Sequence, residues 1–374
     1  MRNKLPEAAV FLALTLGTLG LFPRTAGGSP PDAHETPTAS PAATPPPSGA
    51  RPAAAQGYSV TDRIPLPGDT GWDYVTVDPA AGRLYVSRSD RVLVVDLASK
   101  KVVGEIAPTP GVHGVALVPS LGRGFTSNGR ASSATAFSLA TLEPAGQVAT
   151  GENPDAILYD PASNRVFTFN GRGKSATAID PKSLAVVGTI PLGGKPESGV
   201  SDGKGRVWVN IEDTGEIAVI DSRALKVAAR WPVAGCEEPS GLAMDAPHRR
   251  LFTVCGNKVM AILDADSGRV VASLPIGDGV DAAGFDPATG LAFASNGEGT
   301  LTVVHEETPD RFRVVENVPT KRGARTMALD PTTHRIYLVT SDFGPPPPPT
   351  AERPRPRPSI VPGSVTVLVV SPSR

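Results

Sequence analysis

Aromatic residues and net charge are both scarce in this chain of 374 residues. Phe, Trp and Tyr together make up 5% of the sequence, which is little for the platforms of stacked aromatic side chains that bind single-stranded nucleic acid. The 36 Lys and Arg residues nearly balance the 37 Asp and Glu residues, so the formal net charge of −1 provides no field that would attract nucleic acid or an acidic membrane. We therefore predict that the protein has no nucleic-acid partner.

Two further absences narrow the fold and the function. No run of roughly 10–15 residues repeats its apolar positions with helical periodicity, which excludes a helical repeat protein. The sequence contains no His-Glu-x-x-His and no Cys-x-x-Cys-His motif. Residues 171–175 end like a phosphate-binding loop, but Thr168 occupies the position of its first glycine, and a strand is predicted to follow instead of a helix. We therefore expect a non-catalytic protein.

What the sequence does contain is a repeat. A short corner, in most copies Asp followed by Pro, recurs at intervals of 40 to 44 residues. In six copies an Arg follows four or five residues later, with an aromatic residue two positions after it, as in Arg206 and Trp208. Short alternating segments and a period near 42 are typical of four-stranded propeller blades, so the fold class is predicted as all-β, a seven-bladed β-propeller. The corners begin at Asp78, Val118, Asp160, Asp202, Asp245, Asp286 and Asp330.

The two ends of the repeat region predict how the ring closes. The segment from Tyr58 to Pro65 alternates like a strand but precedes the first corner. Its counterparts are the last strands of other copies, such as residues 186–191, and the seventh copy ends at Val370 without such a strand. We therefore predict that the N-terminal strand pairs into the last blade, which leaves no long exposed sheet edge.

The N-terminal residues predict export. Arg2 and Lys4 precede an apolar run from Ala8 to Phe22, which is short for a membrane span but suits a secretory signal peptide. We predict a signal peptide over residues 1–26, with an uncleaved anchor as the alternative, and a disordered Pro/Ala-rich tether over residues 27–56. The propeller is assigned to residues 57–374. The protein is expected to be periplasmic or secreted, with no membrane insertion after cleavage of the signal.

A Pro-rich insertion interrupts the last predicted blade over residues 344–363. It contains five consecutive prolines and the sequence Arg-Pro-Arg-Pro-Arg over residues 353–357. Such a segment should adopt extended polyproline II rather than fold as a lid. We interpret it as a solvated spacer, with the alternative that it leans across the face from which it emerges.

Cys236 and Cys255 are the only cysteines. The register of the repeat places Cys236 in the loop that enters the fifth blade and Cys255 at the end of the second strand of that blade, with both positions on the same face. In an exported protein, two such thiols should be oxidised to a disulfide. A metal-thiolate pair is the alternative, although no His lies near either cysteine in the sequence.

The position five residues before each corner carries the clearest functional signal. It is polar or charged in every copy, and the register places it at the start of the innermost strand, where the loops between blades converge on the central channel. Such groups around one opening could hold a divalent cation, or a polar ligand that bears both charges. The alternative is structural, since polar residues at strand entries also cap turns and pair with neighbours. The candidate ligand-binding residues are Asp73, His113, Asp155, Glu197, Asp281 and Arg325, with Ser240 in the remaining copy.

The blade signature resembles a known family. Residues 206–221, Arg-Val-Trp-Val-Asn-Ile-Glu-Asp-Thr-Gly-Glu-Ile-Ala-Val-Ile-Asp, resemble the repeats of the bacterial YVTN-repeat (YncE-like) propellers, and the resemblance covers about residues 57 to 374. It implies a seven-bladed, exported propeller. Related architectures include lactonase-type propellers and heavy chains of periplasmic amine dehydrogenases, but no catalytic motif of either can be matched here residue by residue, so the resemblance carries no activity.

Together these features predict a binding or scaffold module of the cell envelope, expected to be a monomer. Its channel mouth would engage a small polar ligand, a divalent cation or a loop of an envelope protein. The alternative is a lactonase-like, metal-assisted hydrolase, in which the same carboxylates hold the metal and His113 or Glu197 acts as general base. A third possibility is pure protein–protein interaction through the outer loops and the Pro-rich insertion.

Overall fold

The computed structural model describes residues 57–350 and 358–373. They belong to one compact unit and form seven antiparallel sheets of four strands each, which we number as blades 1 to 7. The prediction of a seven-bladed, all-β propeller is confirmed. Three single-turn 3₁₀ helices accompany the strands, at Pro119–Leu121, Gly129–Ala131 and Glu212–Thr214.

In blades 1 to 6 the strands follow the chain from the inner to the outer edge, and in blade 7 the outermost strand is β1. Blades 1 to 3 contain β2 (Val75–Asp78), β3 (Arg83–Arg88), β4 (Arg91–Asp96), β5 (Lys101–Ile106), β6 (Val112–Val118), β7 (Arg123–Asn128), β8 (Ser133–Ser138), β9 (Pro144–Ala149), β10 (Pro154–Asp160), β11 (Arg165–Asn170), β12 (Ser175–Ile179) and β13 (Val186–Pro191). Blades 4 and 5 contain β14 (Pro196–Ser201), β15 (Arg206–Ile211), β16 (Glu216–Asp221), β17 (Lys226–Pro232), β18 (Pro239–Asp245), β19 (Arg250–Cys255), β20 (Val259–Asp264) and β21 (Val270–Pro275). Blades 6 and 7 contain β22 (Val280–Asp286), β23 (Leu291–Asn296), β24 (Thr300–Thr308), β25 (Arg311–Pro319), β26 (Met327–Asp330), β27 (Arg335–Thr340), β28 (Thr366–Pro372) and β1 (Tyr58–Pro65).

The first strand of the chain closes the ring, as predicted. β1 pairs antiparallel with β28 and completes blade 7, whose strand order is β1-β28-β27-β26. Each innermost strand contacts the innermost strands of the two adjacent blades all the way around the circle, including β2 with β26. The seven innermost strands therefore line a single central channel.

The hydrophobic core lies between adjacent blades. The aromatic residue of the repeat is buried in every blade, as in Phe167, Trp208 and Phe252, which are fully buried. One core cluster joins Phe167 of blade 3 to Val207 and Ile220 of blade 4, and the other clusters likewise span neighbouring sheets. Because a lone four-stranded sheet cannot cover both of its apolar faces, the blades are stable only when stacked in the ring.

The corner aspartates have a structural role. Asp160 accepts hydrogen bonds from the backbone N–H of Ser163 at 2.9 Å and from the Ser163 and Ser201 hydroxyls at 2.6 and 2.5 Å. Burial raises the pKa of Asp160, but these hydrogen bonds outweigh it and hold the pKa below its ordinary value. The same turn-capping bond to a backbone N–H is accepted by Asp78, Asp286 and Asp330.

The Pro-rich insertion connects β27 to β28. Its described ends pair with each other, through a bridge between Phe343 and Ile360 and a hydrogen bond from the Gly344 N–H to the Ser359 carbonyl at 2.9 Å. The Phe343 ring lies 6.2 Å from the Trp72 ring of the loop that enters blade 1. The predicted basic segment 353–357 lies outside the described residues, as do the predicted signal peptide and tether. No helix in the described part of the chain is long and apolar enough to cross a membrane.

A disulfide joins Cys236 and Cys255, the pairing expected from the register, with an S–S distance of 2.02 Å. It ties the loop that enters blade 5 to the end of β19 on the same face. Both residues are buried, and they belong to the core cluster between blades 4 and 5.

We predict that the double variant C236S/C255S loses about 3 kcal/mol of unfolding free energy, because the bond closes a loop with a sequence separation of 19 and restricts the unfolded chain. Urea denaturation of the oxidised protein and of the variant measures the difference. Wild-type protein reduced with dithiothreitol serves as the control and should match the variant. An unchanged denaturation midpoint in the variant would contradict the prediction.

Candidate cation site at the channel mouth

The candidate residues occupy equivalent places around the channel. Each lies at the start of an innermost strand, either as its second residue or two residues before it. Because these strands run side by side in the same direction, the candidates gather at one end of the channel, which we call the channel mouth. Its residues are Asp73, His113, Asp155, Glu197, Asp281 and Arg325.

Three of these residues are in direct contact. The Nδ1 atom of His113 lies 2.6 Å from Oδ2 of Asp73 and 3.5 Å from Oδ1 of Asp155. One donor atom from each residue falls within 4.8 Å of the other two. They come from blades 1, 2 and 3, so only the curvature of the ring brings them together. One imidazole nitrogen and two carboxylate oxygens form a donor set that suits divalent transition metals.

The electrostatics of this group favour a cation. Burial and the nearby charge of Asp73 raise the pKa of Asp155 to about 6, against a lowering by His113. Burial lowers the pKa of His113, but the hydrogen bond to Asp73 and the charge of Asp155 outweigh it, so the pKa of His113 is raised. Neighbouring negative charge contributes to both raised pKa values, whereas burial raises the pKa of Asp155 and opposes the rise for His113.

Glu197 continues the acidic rim in blade 4. Its side chain is almost buried, and its Oε1 atom pairs with Nζ of Lys195 at 2.7 Å. Lys195 also pairs with Glu212. Burial and the charge of Asp155 raise the pKa of Glu197 to about 8, despite the contact with Lys195. With this pKa, the Glu197 carboxyl group would lose its proton to solvent when a cation binds beside it.

The mouth positions of blades 5, 6 and 7 do not belong to the group formed by Asp73, His113 and Asp155. Asp281 of blade 6 pairs with Nε of Arg325 of blade 7 at 3.3 Å. Burial raises the pKa of Asp281 to about 6, against a lowering by Arg325. Ser240 of blade 5 points its hydroxyl at the backbone carbonyls of Val254 and Val280, so that position has the structural role. Among the seven equivalent positions, four therefore carry a carboxyl group and one, Arg325, carries a guanidinium.

Sequence reasoning missed Tyr74, which lies beside Asp73. The residue that directly follows the mouth position is small in every other copy, and only blade 1 has a bulky side chain there. An alignment of the copies at this one position could have revealed it. The small residues are Gly114, Ala156, Ser198, Gly241, Ala282 and Thr326.

Tyr74 reaches from blade 1 to the blades across the channel. Its half-buried ring packs against the core cluster of blades 3 and 4, which includes Ala156 and Phe169, although Tyr74 belongs to blade 1. Burial, then the charges of Asp155, Glu197, Asp281 and Asp73, raise the pKa of Tyr74 well above its usual range. Carboxyl groups from four blades therefore interact with one phenol and keep it neutral.

Two clefts open beside the mouth on the same face. One, of about 530 Å³, is polar and is lined by residues that include Asp73, His113 and Asn153. The other, of about 480 Å³, lies between Phe343 and Arg325. Trp72 borders both clefts. The mouth is therefore reachable from solvent through a space large enough for a small ligand.

One motif in the sequence has the spacing of a hydrolase nucleophile elbow. Residues 199–203 read Gly-Val-Ser-Asp-Gly. In an elbow, the serine sits on a sharp turn between a strand and a helix. Here Ser201 ends β14 at the far end of the channel, a turn and another strand follow, and its hydroxyl donates to the turn-capping Asp160 at 2.5 Å. The serine therefore stabilises a corner rather than acting as a nucleophile.

Comparison with known proteins supports the fold. No protein-family model matches the chain, and no curated protein matches it significantly. Among solved structures, the chain is similar to a chain of the Kuenenia stuttgartiensis hydrazine synthase, with a TM-score of 0.65 and 17% sequence identity. The match covers 73% of this chain and 94% of that chain. At this identity the similarity shows a shared propeller fold and nothing about chemistry.

Proposed function

We propose that this protein is an exported, non-catalytic binding propeller whose channel mouth holds a divalent cation. The observation that carries the proposal is the convergence of Asp73, His113 and Asp155 from three blades, with one donor atom of each within 4.8 Å of the others. Glu197 and Asp281 are further carboxyl groups close enough to interact electrostatically with Asp155. A bound cation would make that concentration of carboxylates favourable, because it offsets their mutual repulsion.

The envelope setting belongs to the same proposal. The disulfide suits an oxidising compartment, and the N-terminal sequence has the pattern of a secretory signal. The blade signature of residues 206–221 is similar to the exported YVTN-repeat (YncE-like) propellers. We propose a periplasmic or secreted monomer of that kind, in which the cation either is the cargo or bridges to a small polar ligand in the adjoining clefts.

Zn²⁺ binding to untagged, chelator-treated protein tests the proposal. We predict that Asp155→Asn weakens the mouth site at least about tenfold, the range typical for damage to a metal site, and lowers the Zn²⁺ retained after dialysis by one equivalent per chain. The variant Asp278→Asn is the matched control, because Asp278 is an exposed carboxylate in the loop before β22 whose partner, Lys258, is also exposed.

Equal Zn²⁺ affinity and stoichiometry in wild type and Asp155→Asn would overturn the cation site. A panel of lactones and esters separates the hydrolase alternative. Turnover that is lost in His113→Ala would replace the binding role with catalysis, and its absence would leave binding as the function. Capture of an envelope protein that is unaffected by Asp155→Asn would instead favour the outer loops.

A further inference from the structure

A second group of titratable residues lies at the opposite end of the channel axis, between blades 5 and 6. It centres on Glu306, which lies in β24. In blades 1, 2, 4 and 5 the equivalent residue directly follows the third strand. The backbone N–H of Glu306 donates to the Gly290 carbonyl at 2.8 Å. In those four blades the equivalent residues make the same backbone bond, yet they are apolar or small: Leu97, Leu139, Ser222 and Ala265. Blade 6 therefore carries a carboxylate where the repeat elsewhere has no charge.

The Glu306 carboxylate is buried without a hydrogen bond. Its side chain is 3% exposed, and neither oxygen accepts a hydrogen bond from any residue that the structure describes. Oε1 lies 3.2 Å from Nδ1 of His248, but that nitrogen is already 2.5 Å from Oδ2 of Asp245, whose side chain is 2% exposed. Two buried carboxylates therefore share one imidazole nitrogen, which can donate to only one of them.

The other cation nearby does not resolve this arrangement. The Arg250 guanidinium donates to the Asp264 carboxylate at 2.9 Å, to the Asp310 carboxylate at 3.0 Å and to the Pro309 carbonyl at 2.6 Å. The positive charge of Arg250 is therefore already paired with the carboxylates of Asp264 and Asp310. An unpaired buried carboxylate costs free energy unless a proton or a positive charge lies beside it, so the two carboxyl groups must either share a proton or hold a cation.

We propose that Asp245, His248 and Glu306 form a second divalent cation site, suited to a transition metal such as Zn²⁺. One donor atom from each lies within 4.8 Å of the other two, and one nitrogen with two carboxylate oxygens matches the ligands that Zn²⁺ accepts at about 2.0–2.2 Å. His248 is 55% exposed, whereas both carboxylates are buried, so the imidazole forms the solvent-facing side through which an ion enters. The bound ion would fasten blade 5 to blade 6.

This site is independent of the channel mouth. Asp245 ends β18, whereas the mouth position Ser240 is the second residue of the same strand. Five residues of extended strand separate the two faces by on the order of 16 Å. No residue is shared between the two groups, so either one can bind an ion when the other does not.

Zn²⁺ titration of untagged, chelator-treated protein that carries Asp155→Asn tests the second site without a contribution from the mouth ligand. We expect one Zn²⁺ bound per chain at pH 7.5, together with a higher Tm. Adding Glu306→Gln should weaken that binding at least tenfold and abolish the Zn²⁺-dependent rise in Tm. Adding Glu307→Gln, which alters the adjacent surface carboxylate paired with Arg311 and Arg313, should leave both unchanged.

His248→Ala in the same background should also lose the binding, and the exposed position of His248 means that this variant retains the fold. Circular dichroism confirms folding of each variant. The proposal is overturned if the Asp155→Asn chain binds no Zn²⁺, or if Glu306→Gln leaves its affinity unchanged; a shared proton then satisfies the two carboxylates. The mouth site is tested by comparing Asp155→Asn with wild type. The second site is tested by comparing the chain with both Asp155→Asn and Glu306→Gln with the chain that carries Asp155→Asn alone. One proposal can therefore be contradicted while the other stands.

Discussion

A chain that begins at residue 67, and so lacks β1, is expected to fail to fold, whereas a chain that begins at Gly57 should retain full stability. β1 buries Tyr58 and Ile64, and Leu66 follows it into the core. Burying three such side chains contributes about 5–9 kcal/mol, which is comparable to the whole stability of a typical domain. Circular dichroism and thermal unfolding of the two chains measure the effect.

The loss goes beyond the buried area, because β1 also covers an edge. Without it, β28 would expose the backbone of Val367, Leu368 and Val369, an apolar strand with unpaired groups that is prone to aggregate. β1 also binds blade 6, through a hydrogen bond from the Tyr58 N–H to Glu316 at 2.8 Å and an edge contact with Phe293. The ring would therefore open at the junction between blades 6 and 7.

Single substitutions in β1 test the same prediction with smaller expected effects. Ile64→Ala should lower the unfolding free energy by about 2–5 kcal/mol, since Ile64 is 1% exposed in the cluster between blades 7 and 1. Arg63→Ala, at the exposed neighbouring position, should change it by less than about 0.5 kcal/mol. A chain lacking β1 that melts at the wild-type temperature would show that closure by β1 is dispensable.

Raising the pH from 5 to 8 is expected to destabilise the metal-free protein. In the folded state the pKa values of Asp155 and Asp281 are raised from 3.8 to about 6, and that of Glu197 is raised from 4.5 to about 8. At pH values between the ordinary and the raised pKa of each group, the folded chain binds more protons than the unfolded chain. The unfolding free energy therefore falls as the pH rises. The raised pKa of His113 acts in the same direction, since its stabilising charge is lost as pH rises through that pKa.

The variant Glu197→Gln removes the group whose pKa is raised most in the folded state. Because burial makes ionisation of Glu197 costly in the folded state, we expect the variant to gain about 1–3 kcal/mol at pH 8 and almost nothing near pH 4. Denaturation curves at several pH values measure the change. Glu298→Gln, at an exposed position of blade 6, is the control and should leave the slope unaltered. A wild-type stability that rises between pH 5 and 8 would contradict the assignment of these groups.

In the presence of saturating Zn²⁺, the unfolding free energy should rise between pH 5 and 8 instead of falling. A cation binds the ionised carboxylates, so its stabilising effect grows as they lose their protons. Below about pH 4 the corner aspartates reverse the slope, because the pKa values of Asp160 and Asp330 are lowered in the fold and their contribution is lost on protonation. The window from pH 5 to 8 therefore reports on the channel mouth together with Glu306, because burial and the charge of Asp245 raise the pKa of Glu306 from 4.5 to about 7.

The sequence by itself determined the number of blades, the pairing of β1 into blade 7 and the end of the channel at which Asp73, His113 and Asp155 lie. These features follow from local periodicity, because a strand pattern repeated seven times has only one closed arrangement. Tertiary structure alone decided that Tyr74 reaches blades 3 and 4, that Glu197 is buried beside Asp155, and that Glu306 meets Asp245 and His248. Such contacts join residues from different blades, and the curvature of the ring, which no local pattern encodes, sets their distances and their exclusion from water.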